Sequence, residues 1–498
     1  MEELLISRKG LPTARYRGNL LHSLYDPEKE ADQYLKTQYV LIKSSPILII
    51  GSCLGYLEAL LQKNEPHIKI LSLQLSSFFR GKTQHTLPEN QCWYPDSSIP
   101  LKDFLLHTIE DPELSSLRIL LWNPGIQAYE GTGQEVVNQV IQFLRERTRS
   151  VQTLVAFGKK WILNALKNFL FHPLNWKLKH HPYPICIAAS GPSLKSSLPF
   201  LAKYRDRFVL WALPSSLQAL VEASIIPDLI LLTDGGFYAS RLIHPILRIN
   251  NLINTPIPLL TPLTGAFLPP HPALTPVFFH QGLEIEKLLL SNLSIPLEYY
   301  PPNGTVSGSA VEIALRITSG PIGVCGLDLC TTSSTDHVRP HPFETLLDLQ
   351  QNRRAGTETP WISRLWNLYP DHASRNCRTN PALKTYAGWF QQSKDRWFSR
   401  VFRLYPSQIS TGMKPIPPEF LATLSPISPV SLLQESGGLS GKDKKEALQK
   451  ICNAIREEKP LLDKTTDLLF RTSLLKDPGF LYTLARLEKQ IGGDFCNP

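Results

Sequence analysis

A strand that runs into a glycine turn and then a helix constrains this chain more than any other feature. Tyr183-Pro184-Ile185-Cys186-Ile187-Ala188-Ala189 is a nearly unbroken apolar run. It ends at Ser190-Gly191-Pro192-Ser193, and over 194–204 the apolar spacing becomes helical. Pro192 suits the first turn of a helix, where its missing N–H costs little. Gly191 lets a ligand approach the backbone, and Ser193 adds a hydroxyl. The first N–H groups of a helix have no internal partner and carry the positive end of its dipole. A turn of this kind is a phosphate-receiving loop, and Ser190, Gly191, Pro192 and Ser193 are its candidate residues. Read more plainly, it is a β-to-α turn capped by Ser190.

The same grammar recurs along the chain. Pro46-Ile47-Leu48-Ile49-Ile50 predicts a buried strand, Gly51-Ser52-Cys53-Leu54-Gly55-Tyr56 a turn, and Leu57-Glu58-Ala59-Leu60-Leu61 a helix. Strands follow at 68–73 and 119–122. Beyond the 190–193 turn the spacing predicts strands at 208–213 and 229–233, shorter ones near Leu259 and Val277, and one at 322–326. Helices are expected at 217–223 and 307–317. Such runs, alternating with helices, build a parallel sheet covered on both faces. The fold class is α/β, with two Rossmann-like parallel-sheet domains followed by a C-terminal helical region. The expected division is an N-terminal Rossmann-like domain at 1–180, a central nucleotide-binding domain at 181–404, a Pro/Ser/Gly-rich linker at 405–441, and helices at 442–498.

Composition narrows the functional classes. The 498 residues are 42% hydrophobic and 19% charged, enough for several domain cores. Net charge is +9, which favours anionic ligands. No run of five Lys or Arg occurs, so nucleic acid is not an expected partner. Eight cysteines form no C-x-x-C pair and several lie inside apolar runs, which reads as buried free thiols. Met1-Glu2-Glu3 followed by Arg8-Lys9 lacks a signal-peptide pattern. No apolar stretch approaches the ~20 residues of a membrane span. A soluble, cytoplasmic protein is expected.

Further candidates sit at strand ends and loop starts. Asp228 precedes the 229–233 strand, Asp234 follows it, and Asp328 lies just past 322–326. These carboxylates suit ribose hydroxyls, the orienting of a histidine, or a divalent ion such as Mg2+, for which Asp228 and Asp234 are the candidate ligands. Gly304, Thr305 and Ser307 open a helix and make a second candidate anion site, and Gly326 turns the chain before Asp328. His337 and His341 are candidate bases, because histidine titrates near neutral pH. In the first domain a dinucleotide site needs an acid at the end of its second strand. Gln74 stands there instead, and a scaffold without a cofactor is expected.

The string Ala188-Ala189-Ser190-Gly191-Pro192-Ser193-Leu194-Lys195 resembles the opening motif of the motility accessory factor (Maf) flagellin glycosyltransferase family. It also resembles the nucleotide loop of bacterial sialyltransferases, which carry an Asn where Ser190 stands. Ile225-Ile226-Pro227-Asp228-Leu229 with Thr233-Asp234, Gly304-Thr305-Val306-Ser307, Cys325-Gly326-Leu327-Asp328-Leu329 and His337 extend the likeness, as do residues 21–27 and 51–56 upstream. The resemblance implies transfer of a nonulosonic, sialic-acid-like sugar from a CMP-activated donor to Ser or Thr of flagellin. Ser190, Gly191, Pro192, Ser193, Asp234, Gly304, Thr305, Ser307 and Gly326 would bind the nucleotide, and His337, Asp328 and His341 would carry the chemistry. The central domain is also similar to the MptE-like 6-hydroxymethylpterin diphosphokinases, which implies pyrophosphoryl transfer from ATP with Mg2+. A third reading is a catalytically inactive flagellar assembly factor.

Overall fold

Two runs of four fully buried residues, Ile47–Ile50 and Ile185–Ala188, are the central strands of two separate parallel sheets. The computed structural model describes residues 2–38, 46–110, 113–114, 116–290, 297–331, 337–344, 368–371, 374–397, 399–405, 407, 409–428, 431–437, 443–444 and 446–447. The helices expected beyond residue 447 lie outside the described residues, as do Cys452 and Cys496. The chain divides into two compact units, at Ala156 and Phe157.

The first unit opens with an antiparallel meander, β1 (Glu2–Ile6), β2 (Pro12–Tyr16) and β3 (Asn19–Leu20). A helix at Pro27–Thr37 follows, capped by the Asp26 carboxylate on Lys29 N–H at 3.0 Å. Strands β4 (Ile47–Ile50), β5 (Ile70–Leu73), β6 (Cys92–Trp93) and β7 (Arg118–Leu121) form a parallel sheet in the order β6-β5-β4-β7. The turn after β4 faces protein. A Cβ on Gly51 would stand 2.9 Å from the Leu75 side chain and 3.4 Å from that of Ile126, and Gly125 packs on the Gly51 carbonyl. Gln74, at the position of the missing ribose acid, is buried and donates to Ser52 and Ser72 Oγ at 3.1 and 3.2 Å. Both serines donate in turn to the buried Glu58 carboxylate, at 2.5 and 2.6 Å. This part of the loop is a structural polar knot.

A 42-residue helix, Glu130–Phe171, was not read from the sequence. Its tail from Phe157 belongs to the second unit. That unit contains β8 (Trp176–Leu178), β9 (Ile185–Ala188), β10 (Val209–Ala212), β11 (Leu229–Leu231), β12 (Ile257–Pro262), β13 (Leu274–Phe279) and β14 (Ile322–Cys325). It continues with the hairpin β15 (Tyr369–Asp371) and β16 (Ser374–Thr379), then β17 (Val401–Leu404), β18 (Lys414–Ile416) and β19 (Leu433–Glu435). Eight of these strands form one parallel sheet in the order β13-β12-β11-β10-β9-β14-β17-β18.

Both faces of this sheet are covered. Cys186 and Ala188 of β9 join Leu194 and Leu201 of the helix Leu194–Lys203 in one core. Ile185, Ile187 and Ala189 point the other way, into a core with Ala310, Val311 and Ala314 of the helix Val306–Ile317. That alternation is why β9 reads as a continuous apolar run. Within 405–441, the stretch expected as a linker, two described segments pair with strands of the second unit. Lys414–Ile416 adds the eighth strand beside β17, and Leu433–Glu435 pairs antiparallel with β8. A Pro-rich composition hid an edge strand, a place in a sheet where Pro415 is tolerated because a missing N–H need not break the ladder. The six described cysteines are buried.

Candidate functional site

Strand order decides where a ligand can enter. From β9 the chain steps outward through β10, β11, β12 and β13, then returns to the other side of β9 as β14. The loops leaving the carboxyl ends of β9 and β14 therefore lead to opposite sides of a switch point in strand order, where open α/β folds form their ligand crevice.

The structure brings the two loops into direct contact. Gly191 N–H donates to the Gly326 carbonyl at 2.7 Å, and Ser193 N–H donates to Asp328 Oδ2 at 2.8 Å. A Cβ on Gly191 would lie 2.6 Å from the Gly326 oxygen and 2.9 Å from Asp328 Cγ, so only glycine admits this approach. Gly326 has φ +68, a left-handed conformation that glycine adopts without strain. The expected phosphate loop thus already holds an anion, its own Asp328 carboxylate, at the start of the helix. Gly191 and Ser193 N–H are engaged internally, and Pro192 has none. Pro192 instead accepts from Lys195 N–H through its carbonyl at 3.2 Å.

Asp328 is itself held from behind. It is buried, and Ser407 Oγ donates to its carbonyl at 2.7 Å. The buried Arg403 of β17 donates to the Leu327 carbonyl and, at 2.9 Å, to that of Ile409. Burial pushes the Arg403 guanidinium below its ordinary value, and the nearby Asp328 charge pulls it back up. Through one carboxylate oxygen on Ser193 N–H, Asp328 ties the β14 loop to the start of the helix after β9.

What the crevice presents is mainly side chain. Ser215 Oγ, on the turn after β10, donates to Ser190 Oγ at 2.8 Å. The Ser190 carbonyl accepts from Val338 N–H at 2.7 Å, which docks the segment carrying His337 and His341 onto the β9 loop. The two imidazoles lie with centroids 5.0 Å apart, and His341 Nδ1 accepts from Phe343 N–H at 3.2 Å. The helix Val306–Ile317 runs back against the strands, so its start lies at the same edge of the sheet. Its N-cap, Thr305, makes no side-chain capping bond, and a Cβ on the preceding Gly304 would meet open space. Ser307 is buried in the first turn.

The acidic candidates separate. Asp234 follows β11 at the ligand-facing edge, where its Oδ1 accepts from Gly236 N–H at 2.7 Å. Asp228 precedes β11 at the opposite edge. There it pairs with Arg205 at 2.7 Å and accepts from Leu210 N–H at 2.7 Å. With a strand between them, Asp228 and Asp234 do not form the expected metal pair. Among the described residues no group of three or more His, Cys, Asp or Glu side chains is placed to hold a metal ion.

Four supporting residues escaped the sequence reading: Ser215, Arg403, Asn164 and Asn168. The two amides, one turn apart on the helix tail, clamp the loops after β11 and β12. Asn164 Nδ2 donates to the Gly235 and Thr264 carbonyls at 2.9 and 3.3 Å, and Asn168 Nδ2 to those of Leu263 and Gly265 at 2.8 and 2.9 Å. Their signal was two asparagines at helical spacing among Ile162, Ala165, Leu166 and Phe169.

Known proteins resemble this chain in fold and in its central segment. Residues 159–334 match the family model for 6-hydroxymethylpterin diphosphokinase MptE-like proteins. An uncharacterized protein of Treponema pallidum (strain Nichols) is 29% identical over 244 residues, 48% of this chain and 52% of the relative. The chain thus spans about half the length of that curated relative. The Maf glycosyltransferase of Magnetospirillum magneticum AMB-1 aligns over 98% of this chain and 86% of its own, with a TM-score of 0.56 and 12% identity. At that identity the likeness is one of fold. The Maf and MptE-like resemblance read from the sequence stands, as a shared fold and as a matching central segment. Among the described residues no helix is long and apolar enough to cross a membrane.

Proposed function

We propose that this chain, with the fold of a Maf glycosyltransferase around an MptE-like segment, is a glycosyltransferase-like protein that receives a nucleotide-activated sugar in the β9–β14 crevice. The supporting observation is the docking of the His337–His341 segment onto Ser190 by the Val338 N–H, at the point where the strand order reverses. The donor in this reading is a CMP-activated nonulosonic sugar, and the acceptor is a Ser or Thr hydroxyl of flagellin or another flagellar protein.

Each group then has a task. The Ser190 and Ser215 hydroxyls hold the ribose or phosphate of the donor. The uncapped start of the helix Val306–Ile317 faces the anionic part of the donor with its positive end. His337 or His341 takes the proton of the acceptor hydroxyl. The acceptor oxygen bonds to the anomeric carbon, the bond from that carbon to the phosphate oxygen breaks, and the nucleoside monophosphate leaves. Asp328 keeps the β9 loop in place.

The family match over 159–334 favours a second reading, pyrophosphoryl transfer from ATP to a hydroxymethyl group. That chemistry uses carboxylates to hold Mg2+ on the phosphates. Asp228, at the opposite edge of the sheet, does not join Asp234 in such a ligand set.

Thermal-shift and calorimetric titrations with CMP, CMP-sialic acid, UDP-sugars and ATP with Mg2+ separate the readings. A ligand that binds only the folded state raises the melting temperature by mass action. The expected result is stabilisation by CMP compounds, lost in Gly191→Trp. Stabilisation by ATP with Mg2+ alone moves the assignment to the kinase. Silence with every nucleotide leaves an inactive assembly factor in front.

A further inference from the structure

Aromatic surface at the rim of the crevice has no part in the transfer described above. Beyond Asp234 the loop turns out Phe237 and Tyr238, 60% and 62% exposed, in edge contact at 5.4 Å between centroids. Tyr238 meets Phe343 edge-on at 6.0 Å, Phe343 meets His341 at 5.4 Å, and His341 meets His337 at 5.0 Å. A run of rings therefore leads from the segment docked on Ser190 out to solvent. A single exposed apolar side chain needs no explanation. Two adjacent rings at the carboxyl edge of the sheet, joined through Phe343 to the segment docked on Ser190, are a different matter.

The base of this loop is held firmly. Asp234 accepts from Gly236 N–H through its side chain and from Ala266 N–H through its carbonyl, at 2.7 and 3.0 Å. Asn164 holds the Gly235 carbonyl, and the Trp161 ring packs so closely that a Cβ on Gly235 would lie 2.7 Å from it. The Arg241 guanidinium lies over the Phe237 ring at 5.1 Å, where it steadies the ring and adds positive charge beside an anionic ligand.

Position indicates what the rings receive. Along the ligand-facing edge the loops of β9, β10 and β11 follow one another. Neighbouring strands are about 4.8 Å apart, so two strand spacings, about 10 Å, separate the β9 loop from that of β11. This matches the reach of a nucleotide from phosphate to base. We propose that Phe237 and Tyr238 form a nucleobase subsite and that Asp234 selects a base with an exocyclic amine, cytosine above uracil. This rests on the nucleotide-sugar reading. Ring faces stack on any base and carry affinity without selectivity. A carboxylate accepts from the N4 amine of cytosine, whereas the corresponding edge of uracil offers a carbonyl oxygen that repels it.

Calorimetric titration of the full chain with CMP and with UMP tests this. The wild type is expected to bind CMP about tenfold or more tightly than UMP. Phe237→Leu with Tyr238→Leu keeps apolar cover but removes the ring faces. It should weaken CMP and UMP alike, by about tenfold or more, with an unchanged thermal transition. Asp234→Asn offers both a donor and an acceptor, so it should erase the preference for CMP while the rings still bind both. Wild-type CMP binding that survives the double substitution unchanged overturns the subsite and leaves the nucleotide crevice intact. A wild type that binds neither CMP nor UMP overturns the subsite and the nucleotide-sugar reading together.

Discussion

Asp328 Oδ2 accepts a hydrogen bond from the backbone N–H of Ser193 at 2.8 Å, tying the β14 loop to the start of the helix after β9. A carboxylate thus fills the place that the glycine turn reserves for an anion. Replacing it by Ala leaves the Ser193 N–H without its partner and strips the nearby anion from the buried Arg403. The expected cost is about 1–3 kcal/mol. Asp328→Asn keeps an acceptor oxygen and should recover part of that cost. Urea denaturation of the two variants reads the difference. Equal losses would show that charge, not the hydrogen bond, holds the loops together.

Asp228 and Asp234 look interchangeable in sequence, each beside the same strand, but they stand at opposite edges of the sheet. Asp228→Asn should weaken the Arg205 pair and destabilise the protein by about 1 kcal/mol, given a half-exposed site. Nucleotide affinity should not change. Asp234→Asn should do the reverse. Thermal melts with a parallel CMP titration measure both, and a loss of CMP affinity in Asp228→Asn would contradict the assigned edges.

The α/β grammar was legible because both faces of β4 and β9 are buried, so their apolar runs are continuous. The 190–193 turn was legible as a β-to-α turn, but its occupant was not. Whether Ser193 N–H meets a phosphate or Asp328 depends on a contact 135 residues away, which local pattern does not encode. Gln74 stood out in the sequence only as a residue ill suited to a ribose; its role in the Glu58 knot comes from packing between β4, β5 and the helix Tyr56–Asn64. The helix Glu130–Phe171 was missed because Gly131, Gly133 and Gly158 and a polar composition weaken its local signal. The strand at 414–416 was missed because Pro415 and Pro417 read as loop punctuation.

His22 makes a pH prediction for the first unit. It is 2% exposed, and its Nε2 accepts from Leu54 N–H at 3.3 Å. Burial lowers its pKa from 6.5 to about 4. Between these values the unfolded chain binds a proton that the folded unit refuses, so stability falls as pH falls. The stabilising term is complete above about pH 6.5 and is lost towards pH 4. Glu30, whose carboxylate lies 4.0 Å from His22 Nδ1 and is itself raised by burial, works in the opposite direction. The comparison is therefore with His22→Gln. From pH 7 to pH 4.5 the wild type should lose about 2–3 kcal/mol more than the variant in chemical denaturation. Parallel pH profiles would show that His22 is not the group responsible.

Asn164 and Asn168 carry the last prediction. Asn164 ties the loop after β11 to the loop after β12, Asn168 braces the loop after β12 at two carbonyls, and both asparagines are buried. Asn164→Ala or Asn168→Ala leaves two carbonyls short of a partner, at about 1–3 kcal/mol each. The double variant should cost less than the sum, because both residues brace the loop after β12. Amide hydrogen exchange should quicken over 232–241 and 262–267, where Asp234, Phe237 and Tyr238 are presented, while Ile185–Ala188 stays protected. Local loosening of this kind is expected where backbone hydrogen bonds lose their support. Unchanged exchange in those loops would mean that Trp161 packing and the Ala266–Asp234 bond are enough to hold them.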